Sequence, residues 1–78
     1  MQYWLYAFKY YKGNVLIDKY DTLEEAKIGR DRLDPMEYEY ADILKMEWGK
    51  QPKLVSTKSF EYEKAILKIK KLSKGNRG

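Results

Sequence analysis

Two groups of side chains in this sequence have types that catalysis uses. Glu37, Glu39 and Asp42 form its densest acidic group and lie among tyrosines; paired carboxylates are what glycoside-type acid/base chemistry requires. Ser56, Ser59 and Ser73 are the candidate nucleophilic hydroxyls. Neither group is completed into a catalytic set. The chain contains no histidine and no cysteine, so it lacks the imidazole base, the thiolate nucleophile and the usual zinc or copper ligands. No serine sits in a Gly-x-Ser-x-Gly elbow. The five glycines are scattered, without the Gly-x-x-x-x-Gly-Lys-Ser/Thr loop that cradles phosphate. Acidic side chains along a strand also prevent edge-to-edge sheet pairing, and the acidic group is read in that way. The sequence therefore predicts a protein that is not an enzyme and carries no metal and no cofactor.

Binding surfaces are the remaining source of function, and two stand out. The segment from Tyr3 to Tyr11 is apolar on both alternating faces: Trp4, Tyr6, Phe8 and Tyr10 lie on one, and Tyr3, Leu5, Ala7 and Tyr11 on the other with Lys9. A strand of this kind keeps apolar groups exposed if only one side of its sheet is covered, and exposed apolar patches mark contact surfaces. We assign the Trp4 side to the core. The expected partner-binding face is then Tyr3, Leu5, Lys9, Tyr11, Ile43 and Lys45. The second surface is basic. Residues 1–39 hold six Lys/Arg against eight Asp/Glu, whereas residues 40–78 hold ten against four. Lys64, Lys68, Lys70, Lys71, Lys74 and Arg77 form the expected anion-binding or nucleic-acid-binding set.

The elements that must position these residues follow from hydrophobic period and breakers. Tyr3–Tyr11 and Val15–Tyr20 read as strands joined by a turn at Lys12-Gly13-Asn14. Thr22, with Glu25 three residues on, opens a helix that ends at Asp34-Pro35. Gly29 lets that helix lie close to the sheet. Tyr38–Trp48 reads as a third strand, Gly49-Lys50-Gln51-Pro52 as a turn, and Lys53–Lys58 as a fourth strand. Ser59 is placed as a cap for a last helix whose apolar stripe is Tyr62, Ala65, Ile66, Ile69 and Leu72.

The predicted fold is α+β in ββαββα order: a four-stranded antiparallel sheet with two helices packed on one face. Residues 1–74 form a single domain, with 75–78 a flexible tail. The halves 1–35 and 38–74 share faint similarity at a spacing of 39, where Lys19/Lys58, Glu24/Glu63, Ala26/Ala65 and Leu33/Leu72 are identical, so an internal ββα duplication is one reading. At 78 residues the core is small and unassisted by disulfides, and large aromatic side chains take up that task. The start of the sequence has no basic segment followed by an apolar run, and the expected location is cytoplasmic.

Two functions fit these features. The first is a stoichiometric protein-binding module, an inhibitor or adaptor of the accessory type carried by viruses and mobile elements, acting through an open aromatic sheet face or by self-association into a dimer. The alternative is binding of single-stranded nucleic acid, or of DNA or RNA generally, with sheet tyrosines stacking on bases and the C-terminal lysines holding phosphates. A membrane partner is not expected.

Overall fold

A computed structural model describes the backbone of residues 1–75 and the side-chain surroundings of residues 1–70. The expected tail beyond residue 75 and the side chains of Lys71, Lys74 and Arg77 lie outside the described residues. The elements are β1 (Gln2–Lys9), β2 (Gly13–Tyr20), α1 (Leu23–Asp31), β3 (Tyr38–Met46), β4 (Lys53–Ser59) and α2 (Glu61–Gly75). The strands form one antiparallel sheet in the order β2-β1-β3-β4. The first strand of each half thus lies at the centre and the second at an edge. This is the predicted α+β fold with one sheet face open, but only α1 packs along the other face; α2, expected to pack beside it, joins that side through Phe60 and its first turn alone.

Local signals set most boundaries. Thr22 caps α1: its Oγ1 accepts the Glu25 backbone N–H at 3.1 Å and donates to the Glu25 carboxylate at 3.0 Å, satisfying a donor that a bare helix end leaves free. At the other end, Asp34 takes the chain round to β3: its backbone carbonyl accepts from Glu37 and Tyr38, and its side chain from the Met36 N–H. Ser59 Oγ accepts the Glu61 N–H at 3.3 Å and starts α2. Two strands end earlier than the hydrophobic pattern implies. β1 stops at Lys9 because the turn occupies Tyr10–Lys12, with Gly13 at φ +83° opening β2. β3 stops at Met46, which leaves Trp48 fully exposed in the following turn.

The core selects the face opposite to the one expected. Leu5, Ala7, Ala26, Ala41, Ile43 and Phe60 are fully buried, with Tyr3, Ile17, Tyr20, Leu23, Leu33, Tyr38 and Val55 packed around them. Tyr3, Leu5 and Ile43, assigned from sequence to a solvent-facing surface, therefore lie on the covered side, and Trp4, Tyr6 and Phe8 lie on the open one. The reason is steric and electrostatic. Ala7 and Ala41 are directly paired across the two central strands, and Ala26 of α1 packs against them, so small side chains let the helix approach. The opposite face carries Asp42 between Tyr40 and Leu44, and a carboxylate beneath a helix without a partner costs several kcal/mol, about 3–5.

Gly29 extends the same close approach toward the sheet edge. The Tyr20 ring lies against it, and a Cβ added at Gly29 would overlap the Tyr20 hydroxyl. Burial, and secondarily the Asp18 carboxylate, raise the pKa of that hydroxyl. Gly29→Ala gains helix propensity of about 1 kcal/mol but overpacks against the ring at about 1–3 kcal/mol. We expect a net loss of roughly 1 kcal/mol by urea denaturation. In a Tyr20→Ala background the same substitution is expected to become stabilising by roughly 1 kcal/mol. Equal effects in both backgrounds would show that the two residues are not coupled.

Candidate interaction surface

The pleat decides which side chains reach the open face. Across β1 and β3, Trp4 pairs with Leu44, Tyr6 with Asp42 and Phe8 with Tyr40; across β1 and β2, Trp4 pairs with Lys19, Tyr6 with Leu16 and Phe8 with Asn14; β4 adds Leu54 beside Leu44. Directly paired residues share a face. One side of the sheet thus gathers Trp4, Tyr6, Phe8 and Tyr40 together with Leu16, Leu44, Met46 and Leu54. The rings are half-buried by one another, and Leu16 and Leu54 on the edge strands are exposed.

The rings are ordered among themselves. Phe8 and Tyr40 stack with centroids 5.2 Å apart and planes 14° from parallel. Trp4 and Tyr6 lie tilted at 6.5 Å. The Lys19 ammonium sits 4.2 Å from the Trp4 ring centroid, and the Trp4 indole N–H donates to the Gln2 side chain at 3.2 Å. Lys19 and Asp42 bring opposite charges to this face, and a shallow depression lies between Tyr6, Asn14, Asp42 and Leu44. The result is a flat, apolar, nearly neutral surface. Among the described residues there is no cluster of three or more acidic side chains placed to hold a metal ion, and no helix is long and apolar enough to cross a membrane.

Of the residues assigned from sequence to partner binding, Leu5 and Ile43 are buried and Tyr3 packs against the core; none of the three is available. Lys45 lies at the margin of the helix-covered face beside Tyr3 and pairs with Glu47 at 3.1 Å, while Lys50 reaches the same carboxylate at 2.9 Å. Lys50 first and Lys45 second hold the Glu47 carboxyl below its ordinary pKa. Lys9 closes the hairpin opposite Gly13. Only Tyr11 is fully exposed, at the hairpin tip with φ +68°. Trp4, Tyr6 and Phe8, which the sequence pattern assigns to the core, are on the open face instead. The signal that identifies them is Asp42: on its parity of β3 the charge interrupts the centre, whereas on the Ala41/Ile43 parity the charges stand at the ends.

The basic set divides as well. Lys64 is occupied, with its ammonium 4.1 Å from the Tyr10 ring centroid and in contact with the Tyr10 hydroxyl. Lys68 and Lys70 are exposed on α2. A further cation, Lys58, bridges Asp31 of α1 and Glu63 of α2 at 3.1 Å each. Arg30 extends the network by binding Asp31 at 3.0 Å and the Ser56 hydroxyl at 2.9 Å. With Phe60 buried and the Lys64–Tyr10 contact, these interactions fix the first turn of α2 to the body.

Protein-family models, curated proteins and solved structures give no match to this chain.

Two predictions follow from these side chains. A non-glycine residue in left-handed geometry costs about 1 kcal/mol or more, and asparagine tolerates that geometry better, so Tyr11→Asn should raise stability by roughly 0.5–1 kcal/mol in thermal melts; a loss would mean that the exposed ring makes a stabilising contact. The second concerns pH. Arg30, and then Lys58, lower the Asp31 pKa; a backbone hydrogen bond, and then Lys58, lower that of Glu63. A carboxyl with a lowered folded pKa stabilises the fold above its ordinary value of about 4 and loses that contribution as pH falls through the folded value. Lys58→Met should therefore melt below the unsubstituted protein at neutral pH, and the two should converge in acid. A gap that persists unchanged in acid would assign Lys58 a packing role instead.

Proposed function

We propose that the protein is a small non-catalytic module that binds another protein stoichiometrically, as an inhibitor or adaptor, through the open aromatic face of its sheet. The observation that carries this reading is the gathering of Trp4, Tyr6, Phe8, Tyr40, Leu16, Leu44 and Leu54 on a face that no helix covers. Taking strand spacing of about 4.8 Å and a rise of about 3.3 Å per residue, four strands of this length present roughly 400–500 Å². That plan area, polar margins included, is within the range of the largest patches ordinary monomers expose and is about half of what one side of a standard interface buries. Aromatic side chains dominate the energetics of such contacts.

The chemistry of the face favours a protein over a nucleic acid. Base stacking needs free ring faces, but one face of Trp4 is taken by Lys19 and one face of Phe8 by Tyr40. Phosphate binding needs a run of cations, but Lys19 is opposed by Asp42 on this face, and Lys68 and Lys70 project from α2 instead.

The test uses the full chain as bait beside a Tyr6→Ser/Leu44→Ser double variant and a Tyr11→Ser variant, each shown to be folded by circular dichroism. A specific protein should be retained by the unsubstituted and Tyr11→Ser chains. The double variant should lose it, with affinity reduced at least tenfold, about 1.4 kcal/mol or more. Titration with single- and double-stranded oligonucleotides at two salt concentrations, followed by Trp fluorescence, provides the opposing outcome. Binding that quenches the fluorescence and weakens steeply with salt would replace this reading with nucleic-acid recognition.

A further inference from the structure

Among the described residues, most of the apolar stripe of α2 is left uncovered. Sequence alone assigns Tyr62, Ala65, Ile66, Ile69 and Leu72 to a core-facing stripe, yet Tyr62 is 74% and Ile69 65% exposed, Ala65 is exposed and only Ile66 is partly covered. The helix is tied to the body by its first turn, and its contacts with the sheet and α1 are sparse. A 15-residue helix is about 22 Å long and is marginal in water unless its apolar side is buried.

The charges beside this stripe indicate what covers it. Glu61 and Lys68 are seven residues apart and flank the stripe on the same side; Glu63 and Lys70 repeat that spacing on the other side. Both acidic residues of α2, Glu61 and Glu63, stand in its first turn, and every lysine follows them in sequence. Two such helices laid side by side in parallel bring like charges together. Laid antiparallel, with Tyr62 of each against Ile69 of the other and Ala65 and Ile66 at the centre, they set Glu61 of each copy opposite Lys68 of the other. They also oppose the two helix dipoles favourably. Glu63 already carries Lys58, so the Glu61–Lys68 flank bears most of the discrimination.

We propose that the occupant of this stripe is α2 of a second copy of the chain, forming a two-fold antiparallel homodimer. It stands independently of the reading of the sheet face, with which it shares no residue. The seam is short, below the roughly 1,200 Å² of a standard interface, and weak association is expected, with a dissociation constant on the order of 10–100 µM.

The test is sedimentation velocity of the full chain over about 5–500 µM, spanning that constant. The weight-average mass is expected to rise from the 9.4 kDa monomer toward twice that value. Ile69→Lys, at an exposed position, should stay monomeric throughout while keeping its circular dichroism. Glu61→Lys and Lys68→Glu should each weaken association about tenfold, and an equimolar mixture of the two should recover it, because the mixed pair restores both opposite-charge contacts. The recovery separates pairing from any loss of helix caused by the single substitutions. A chain that stays monomeric across the range, an Ile69→Lys variant that dimerises as before, or a mixture that does not recover would each overturn the proposal. So would loss of the dimer in the Tyr6→Ser/Leu44→Ser variant, which would move self-association to the sheet.

Discussion

The close approach of α1 to the centre of the sheet is the constraint on which the rest of this structure depends. Ala26 meets Ala7 and Ala41, and Gly29 receives the Tyr20 ring. Interiors pack at crystal-like density, so a helix held this near leaves no room for Trp4, Tyr6, Phe8 or Tyr40 beneath it. Those rings must occupy the other face, where nothing above the sheet limits their size. The functional surface is thus a consequence of small residues on the opposite side, and an enlargement at Ala7, Ala26 or Ala41 would act on it without touching it.

The second organising feature is Phe60 together with the cations around it. Phe60 is the one fully buried residue between β4 and α2, and its backbone N–H donates to the Glu39 carbonyl at 3.0 Å. Lys58 precedes it and bonds both helices; Lys64 follows it and holds Tyr10. An anchor this short fixes the start and direction of α2 without burying its length. The two helices, similar in sequence pattern, therefore meet different ends: α1 spends its apolar side on the core, and α2 keeps its apolar side exposed. The strand order β2-β1-β3-β4 is what a two-fold relation between ββα halves would produce, but the helices do not follow it.

Element order, turn positions and both helix starts were legible in the sequence because they rest on local chemistry: the Thr22 cap, the Gly13 turn, Asp34-Pro35 and Ser59. The open sheet face was also legible, since two short helices suffice for only one side of four strands, although α1 alone provides that cover. The identity of that face was not, because β1 is apolar on both parities and hydrophobicity does not choose between them. Size and isolated charge do choose: Ala7 and Ala41 mark the side a helix can approach, and Asp42 marks the side that must stay wet. The exposure of α2 was not readable either. The spacing of Tyr62, Ala65, Ile66 and Ile69 states that the helix has an apolar side, whereas what lies against that side depends on where Phe60 aims it.

The two uncovered surfaces differ in a way that bears on their roles. The sheet face is rigid, since its side chains are borne by four hydrogen-bonded strands and its rings are stacked or capped before any partner arrives; little conformational entropy is lost when such a surface is buried. The α2 stripe is narrow, carries exposed Tyr62 and Ile69, and is attached at one end. A rigid apolar patch with near-balanced charge suits one specific partner, while a charge-segregated helix matches the reverse of itself. Antiparallel pairing through α2 would carry two sheet faces on one particle, and a partner with repeated sites would then meet the second face at a high effective concentration. Weak pairing through α2 would on that account have a larger effect on binding than its own small interface implies.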